Sequence, residues 1–274
     1  MTSRISPDFI DATFALSPEH QAQLLQAKRL LERPGYVAKL SDTIGMPLEA
    51  AVNALPAAWT RKIGSATTTS LQKCMQVANA TLKPTARSSF PRLHGAAVAL
   101  TGAAGGAFGL AGLTLELPLS TVIMLRSIAD IGRANGEHLG SGEAQLACLM
   151  VFSLGGKSSA DDAAESGYYA ARIALARAMS EATAYLSTMQ VAQEGAPAIV
   201  RLIAQIAVKF NVQVSQKAAA MMVPVIGAAG GALVNMLFIN HFQDMARGHF
   251  TVRRLERVYG AEVVSAAYKA LDIA

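Results

Sequence analysis

GAAGGA occupies Gly102 to Ala107 and occurs again from Gly227 to Ala232. Each copy lies in a stretch without Asp, Glu, Lys, Arg or His, which extends from Gly95 to Leu115 in the first case and from Ala218 to Asn240 in the second. Glycine costs about 1 kcal/mol in a helix interior relative to alanine, but small residues four positions apart let two helix backbones approach closely. The repeat therefore predicts two closely packed Gly/Ala-rich helices at the centre of the fold, and it suggests an internal duplication.

The composition indicates an all-α protein. Hydrophobic residues make up 52% of the 274 residues and charged residues only 16%, against roughly 25% charged residues in average soluble proteins. Alanine and leucine favour helices, and long alternations of Val, Ile and Thr are scarce. We predict a single multi-helix domain, with residues 1–92 as a cap of short helices on a core of residues 93–274, the two forming one continuous domain over 17–274.

Local signals predict where several helices begin and end. Ser17 and Pro18 are typical of a helix start, a short helix from Tyr36 should end near Gly45, and Ser141 should cap another helix. Pro118 lacks a backbone N–H and should kink or end the helix before it. Polar residues at steps of four predict one polar ridge on a later helix: Arg201, Gln205, Lys209, Gln213 and Lys217.

Two interpretations of the Gly/Ala-rich stretches remain open. They can be buried helices of a soluble bundle, or they can insert into a membrane, since their length would cross a hydrocarbon core of about 30 Å. Pro224 interrupts the second stretch, and neither stretch has an aromatic belt or a strong basic flank.

Charge and cysteine content favour a cytoplasmic protein. The net charge of +5 suits either a mildly basic soluble protein or one attracted to an anionic membrane, and no nucleic-acid-binding motif is present. Cys74 and Cys148 lie in apolar helical patterns and are predicted to be buried free thiols. The first fifteen residues lack the apolar core of a secretion signal. We therefore predict a cytoplasmic location, with peripheral attachment to the inner membrane as an extension of it.

Ionisable residues follow the apolar stretches. Glu116 and His241 each lie fourteen positions after the first glycine of their copy, and Asp244 and His249 come soon after His241. Parallel packing of the two helices would bring Glu116 and His241 to the same end. Imidazole and carboxylate ligands suit Zn, Mn or Fe, although no HExxH motif is present. The alternative is structural: these residues pair with arginines and hold helices together, and Arg253 could pair with Glu256.

Seven segments of the chain are similar to segments of one known family. They are Leu30–Gly35, Gly102–Leu117, Leu125–Arg133, Val151–Gly156, Glu165–Arg172, Val223–Asn235 and Phe238–Gly260, of which the last is the most specific. Together they resemble the EcsC family of bacterial proteins over nearly the whole chain. The resemblance implies an all-helical protein, and the position of the family's namesake beside an ABC exporter implies an accessory role at a membrane.

Two functional hypotheses follow. The first is a non-enzymatic accessory protein of membrane transport or secretion machinery, whose partner is a membrane surface or a protein of the ABC-transporter type. The second is a metal-dependent hydrolase, in which Glu116, His241, Asp244 and His249 hold a divalent transition metal that activates water.

Overall fold

The computed structural model describes residues 16–32, 35–81, 109–155, 167–188, 196–223 and 227–273. Within these ranges the chain forms ten α-helices, one 3₁₀ turn and no strand, which confirms the all-α prediction for the described residues. In chain order the elements are α1 (Pro18–Glu32), α2 (Tyr36–Ile44), α3 (Leu48–Asn53), α4 (Ala57–Thr81), α5 (Gly109–Ala134), α6 (Gly142–Met150), the 3₁₀ turn (Val151–Ser153), α7 (Gly167–Thr188), α8 (Pro197–Met222), α9 (Gly227–Tyr259) and α10 (Ala261–Ala270).

Side-chain and glycine caps set several of these boundaries. The Ser17 hydroxyl accepts from the backbone N–H of His20 at 3.3 Å, so α1 starts where the sequence predicts. The Ser141 hydroxyl likewise accepts from the N–H of Ala144 at 3.2 Å. Gly45 ends α2 with a φ of 67°, in the left-handed region that favours glycine. Each cap satisfies a backbone group that the helix end leaves without a partner.

Helix α5 continues through Pro118. Of the two predicted effects of this proline, a kink or a helix end, the helix end is therefore wrong. The hydroxyls of Ser120 and Thr121 both donate to the carbonyl of Leu117, at 3.2 Å and 2.6 Å. Such bonds to a carbonyl three or four residues earlier are common for serine and threonine inside helices. The proline itself removes the helical donor of a different carbonyl, that of Thr114. Packing against α4 and α9 also stabilises α5.

The second Gly/Ala-rich stretch is divided between two helices. Helix α8 ends at Met222 and α9 begins at Gly227, one on each side of the segment that contains Pro224. The first GAAGGA copy lies outside the described residues, so its conformation stays a prediction. Of the described helices, α8 alone is long and apolar enough to cross a membrane by length and composition, and 44% of its apolar window is buried inside the protein.

Helices α5, α8 and α9 contact one another and lie at the centre of the described fold. Helix α4 packs against α5 and α8, α1 and α2 pack against α9, and α7 packs against α6 and α8. The N-terminal helices α1, α2 and α4 therefore all pack against one or more of the three central helices. Four aromatic rings pack against one another at the centre of the fold: Phe152, Phe210, Phe238 and Phe242. Cys74 and Cys148 are buried free thiols, as predicted.

The predicted polar ridge of α8 is only half correct. Arg201 and Gln205 are exposed, but Gln213 and Lys217 are almost fully buried. An α-helix turns 100° per residue, so each step of four overshoots a full turn by about 40°. Over the four steps from Arg201 to Lys217 the ridge rotates by about 160° and moves from the surface into the core.

Candidate functional site

Helices α5 and α9 run parallel to each other. Residues later in α5 contact residues later in α9, which fixes their relative direction. In order along the helices, the contacts are Glu116 with Asn235, Ser127 with Gln243 and Gly132 with the ring of Phe250. At Gly132 an added Cβ would come within 3.1 Å of that ring, so a larger residue there would require the Phe250 ring to shift.

Glu116 belongs to a buried ion pair. Its Oε2 accepts from the ammonium of Lys217 on α8 at 2.7 Å, and its Oε1 accepts from the amide of Asn235 at 3.1 Å. Both charged side chains are almost completely buried. The ammonium also lies 4.9 Å from the centre of the Phe238 ring, which adds a cation–π contact. The buried negative charge of Glu116 is therefore balanced by the positive charge of Lys217, which is buried beside it.

Parallel packing does not bring Glu116 and His241 together. Asn235 lies opposite Glu116, and His241 is six residues further along α9. Six residues correspond to about 9 Å along a helix axis. Glu116 and His241 are equally far from their GAAGGA copies in the sequence, but they lie at different levels along the axis of the helix pair.

His241 is buried against aromatic and backbone atoms. Its ring stacks on the ring of Tyr36, with 4.7 Å between centroids, and it packs against the backbone of Gly155. Within the described residues neither ring nitrogen has a partner at hydrogen-bonding geometry. Burial lowers the pKa of His241 to about 4, and the backbone of Leu154 opposes this shift only partly. The imidazole is therefore neutral around pH 7.

Asp244 lies in a different environment. Its carboxylate accepts from Arg247 at 2.6 Å, one turn further along α9, and both side chains are substantially exposed. His241 and His249 are separated by eight residues of the same helix, or about 12 Å along its axis. Glu116, His241, Asp244 and His249 thus do not converge on one point. In the part of the chain that the structure describes, no three His, Cys, Asp or Glu side chains are grouped so that they could hold a metal ion.

His249 ends a chain of hydrogen bonds that crosses from α9 to α7 and back. Its Nδ1 lies 3.0 Å from the hydroxyl of Tyr168, which accepts from Arg172 at 3.3 Å. Arg172 also donates to both carboxylate oxygens of Glu256, at 2.6 Å and 3.0 Å. Burial, followed by the nearby charges of Arg253 and Arg172, holds the pKa of His249 well below its ordinary value. The His249 imidazole is therefore neutral and held by a fixed neighbour.

His249 also lines an open groove between α6, α7, α9 and α10. The groove has a volume of about 1050 Å³, at the upper end of the range of roughly 300–1,000 Å³ for ligand pockets. Its apolar walls come mainly from α6 and α7, and all four helices contribute polar residues. Those walls include Ala147, Met150, Ile173, Ala176 and Met179. A deep polar group in an apolar groove is the usual arrangement of a small-molecule site, and we refer to this site as the His249 groove.

A second charged cluster borders the His249 groove. Arg253 donates to Glu137 at 2.9 Å and to Glu143 at 3.0 Å, so the predicted pairing of Arg253 with Glu256 is wrong. Arg257 also pairs with Glu137. Burial alone would raise the pKa of Glu137, but the bonds and charges of the two arginines outweigh burial and keep it below its ordinary value. The cluster ties the end of α9 to the segment between α5 and α6.

Sequence reasoning missed the residues that position His249. Tyr168, Tyr169 and Arg172 lie in the family-like segment Glu165–Arg172, and Glu256 lies in Phe238–Gly260. The sequence signal that could have pointed to these residues is that they lie together in two segments that resemble the family. Lys217 was assigned to a surface ridge, so its pairing with Glu116 was also missed.

The sequence matches the EcsC protein family over residues 19–255. No curated protein and no solved structure matches the chain.

Proposed function

Because the chain belongs to the EcsC protein family, we propose that it is a non-enzymatic accessory protein of membrane transport or secretion machinery, attached peripherally to the cytoplasmic face of the inner membrane. The resemblance to a family whose namesake is encoded beside an ABC exporter supports the link to transport. One structural observation supports attachment to the membrane, namely the apolar face that α8 leaves exposed.

Three valines lie on this exposed face of α8. Val200, Val208 and Val212 are 45%, 68% and 43% exposed. Together with Ala204 they lie at steps of four, which rotate by about 120° around the helix from Val200 to Val212, and all four residues are exposed. Apolar side chains that recur on one exposed face are more informative than single ones, because they form a continuous surface for lipid or a partner.

Charge supports an anionic surface as the target. The net charge is +5, and Arg201 lies on the same exposed side of α8 as the valines. Basic residues near a membrane contribute about 1 kcal/mol each when the surface is anionic. Peripheral binding would then combine shallow insertion of the valines with this attraction.

Vesicle flotation tests the proposal. We expect the purified protein to float with phosphatidylglycerol vesicles and to remain unbound with phosphatidylcholine vesicles. Val208→Asp should abolish flotation, because it places a charge at the most exposed of the three valines. Val258→Asp is the matched control, since Val258 is 60% exposed on α9, and it should float like the wild type.

Three outcomes would contradict the proposal. They are a wild type that does not float, equal flotation of the Val208→Asp variant, and binding to native membranes that disappears after protease treatment of those membranes. The last result would identify a membrane protein, rather than lipid, as the surface that α8 contacts. Circular dichroism of each variant verifies that a loss of flotation is not a loss of folding.

A further inference from the structure

A residue that lines the His249 groove carries a ring nitrogen without a hydrogen-bond partner in the described part of the protein. Nε2 of His249 is buried and has no hydrogen-bond partner there, whereas Nδ1 is held by Tyr168. His249 itself is only 1% exposed and lines the groove. A buried polar group without a partner destabilises the folded protein, and a ligand that satisfies it removes that cost.

The neighbours of His249 determine which nitrogen carries the proton. A guanidinium can only donate, so the oxygen of Tyr168 accepts from Arg172. Of the two partners of this hydroxyl, only His249 Nδ1, at 3.0 Å, can accept its proton, and we assign the bond in that direction. With Nδ1 accepting, the proton of the neutral imidazole must be on Nε2. The groove is therefore provided with an N–H donor in a fixed orientation.

The surroundings of this donor favour a ligand with an apolar body. Ala147 and Met150 on α6 face Ala176 and Met179 on α7 across the same groove. Ile173, which also lines the groove, is 59% exposed, so it adds accessible apolar surface to these walls. These side chains can cover an alkyl chain along the length of α7.

The charges around the groove favour a neutral ligand. Its charged lining residues are three acidic and three basic ones: Glu143, Glu256, Glu262, Arg172, Arg253 and Lys269. Arg172 is occupied by Glu256, and Arg253 by Glu137 and Glu143. An anionic head group would have to disrupt these pairs, whereas a neutral carbonyl oxygen needs only the His249 N–H.

We propose that the His249 groove binds a neutral small molecule consisting of an apolar chain and a carbonyl group, whose oxygen accepts a hydrogen bond from Nε2 of His249. The groove lies on α6, α7, α9 and α10 rather than on the exposed face of α8, so this proposal is independent of membrane attachment. Fatty amides and neutral acyl esters are the ligand class that combines these two features.

Titration calorimetry with three eight-carbon probes tests the proposal on the full chain. Octanamide carries the neutral carbonyl, octanoate carries an anionic carboxylate, and octyltrimethylammonium has no acceptor. We expect octanamide to bind most tightly, and we expect its binding to shift the ¹⁵N resonance of His249 Nε2. Affinity for octyltrimethylammonium equal to that for octanamide would overturn the role of His249, and tighter binding of octanoate would overturn the neutral class.

Substitutions locate the bound probe. His249→Phe keeps a ring but removes the donor, so octanamide should bind about tenfold more weakly, as expected for one lost hydrogen bond. His249→Gln, whose amide can donate from a similar position, should recover most of that affinity. Ala176→Trp should abolish binding by filling the groove, whereas Ala174→Trp, exposed on the same helix but outside the groove, should bind normally.

Two results would overturn the site itself. One is octanamide affinity that is the same in Ala176→Trp and in the wild type, which would place the probe elsewhere. The other is the absence of any octanamide binding to folded wild-type protein up to the solubility limit of the probe. Thermal unfolding of each variant verifies that it is folded during the titration.

Discussion

Glu116 on α5 and Lys217 on α8 form an ion pair in the protein interior, with 2.7 Å between carboxylate oxygen and ammonium nitrogen. Neither side chain has appreciable contact with solvent. Asn235 on α9 donates to the other carboxylate oxygen, so the pair links all three central helices. Because α5 lies far from α8 and α9 in the sequence, this polar contact helps to hold α5 against the other two helices.

Removing one partner of this pair should destabilise the protein strongly. Glu116→Gln leaves the Lys217 ammonium buried without a counter-charge, and we expect a loss of about 3–5 kcal/mol in the free energy of unfolding. The double variant Glu116→Leu/Lys217→Met should lose less than either of its single variants, Glu116→Leu and Lys217→Met, because no charge remains buried. Urea denaturation measures all four variants. Asp244→Ala, which breaks an exposed pair, serves as the control and should cost less than about 1 kcal/mol. Additive losses in the double variant would contradict the coupling.

The buried neutral histidines should make the protein sensitive to acid. The pKa of His241 falls from 6.5 to about 4 on folding, so the unfolded state binds more protons between these values. Stability from this residue is present above pH 6.5 and is lost as the pH falls toward 4, by roughly 2–3 kcal/mol at about pH 4.5. His241→Phe should remove that share of the pH dependence. The measurement is the difference in unfolding free energy between about pH 7.5 and about pH 4.5. An equal difference in wild type and variant would show that His241 does not titrate in this way.

Gly155→Ala should be more damaging than Gly45→Ala. Both glycines have positive φ, 75° and 67°, so alanine is strained at either position. An added Cβ at Gly45 meets open space, but at Gly155 it meets the His241 ring and lies 2.7 Å from the sulfur of Met245. We expect a loss of about 1–2 kcal/mol at Gly45 from backbone strain, and a further 1–3 kcal/mol or so at Gly155 from overpacking. Thermal and urea unfolding compare the two variants. Similar losses would mean that His241 can move aside.

Metal analysis tests the predicted ligand set of Glu116, His241, Asp244 and His249. Since these side chains do not converge, we expect purified protein to contain no transition metal in stoichiometric amount that depends on them. Plasma mass spectrometry of wild type and His241→Ala, together with melting curves with and without chelator, provides the measurement. A stoichiometric metal that is lost in His241→Ala would restore the metal-dependent hydrolase hypothesis.

Local signals in the sequence predicted local structure well. The caps at Ser17 and Ser141 and the glycine stop at Gly45 each depend on a few neighbouring residues, and each lies where predicted. The all-α class followed from composition, and the EcsC resemblance is confirmed by the family match over residues 19–255. The location of the protein and its association with transport machinery stay predictions, because neither is a property of the isolated fold.

Contacts between distant residues could not be predicted in the same way. Lys217 was placed on the surface because residues spaced four apart stay on nearly the same side of a helix over one or two steps. Over the four steps from Arg201 to Lys217 the rotation adds up and carries the last residue into the core. Its partner Glu116 lies on another helix, and nothing in either local segment indicates their contact. The positioning of His249 by Tyr168 also depends on how α7 packs against α9, which periodicity within one helix does not reveal.

The register of α5 against α9 bears on the origin of the chain. A duplicated pair of helices related by a simple twofold axis would place equivalent residues at the same height, and the GAAGGA copies make Glu116 equivalent to His241 at a separation of 125 positions. The residues that are in contact are instead 119, 116 and 118 positions apart. If the repeat records an ancestral duplication, the two halves are related by a screw displacement rather than by pure rotation. Positions that correspond in the two copies then lie in different environments. One copy can therefore carry a buried charge at Glu116 while the other carries a neutral imidazole at His241.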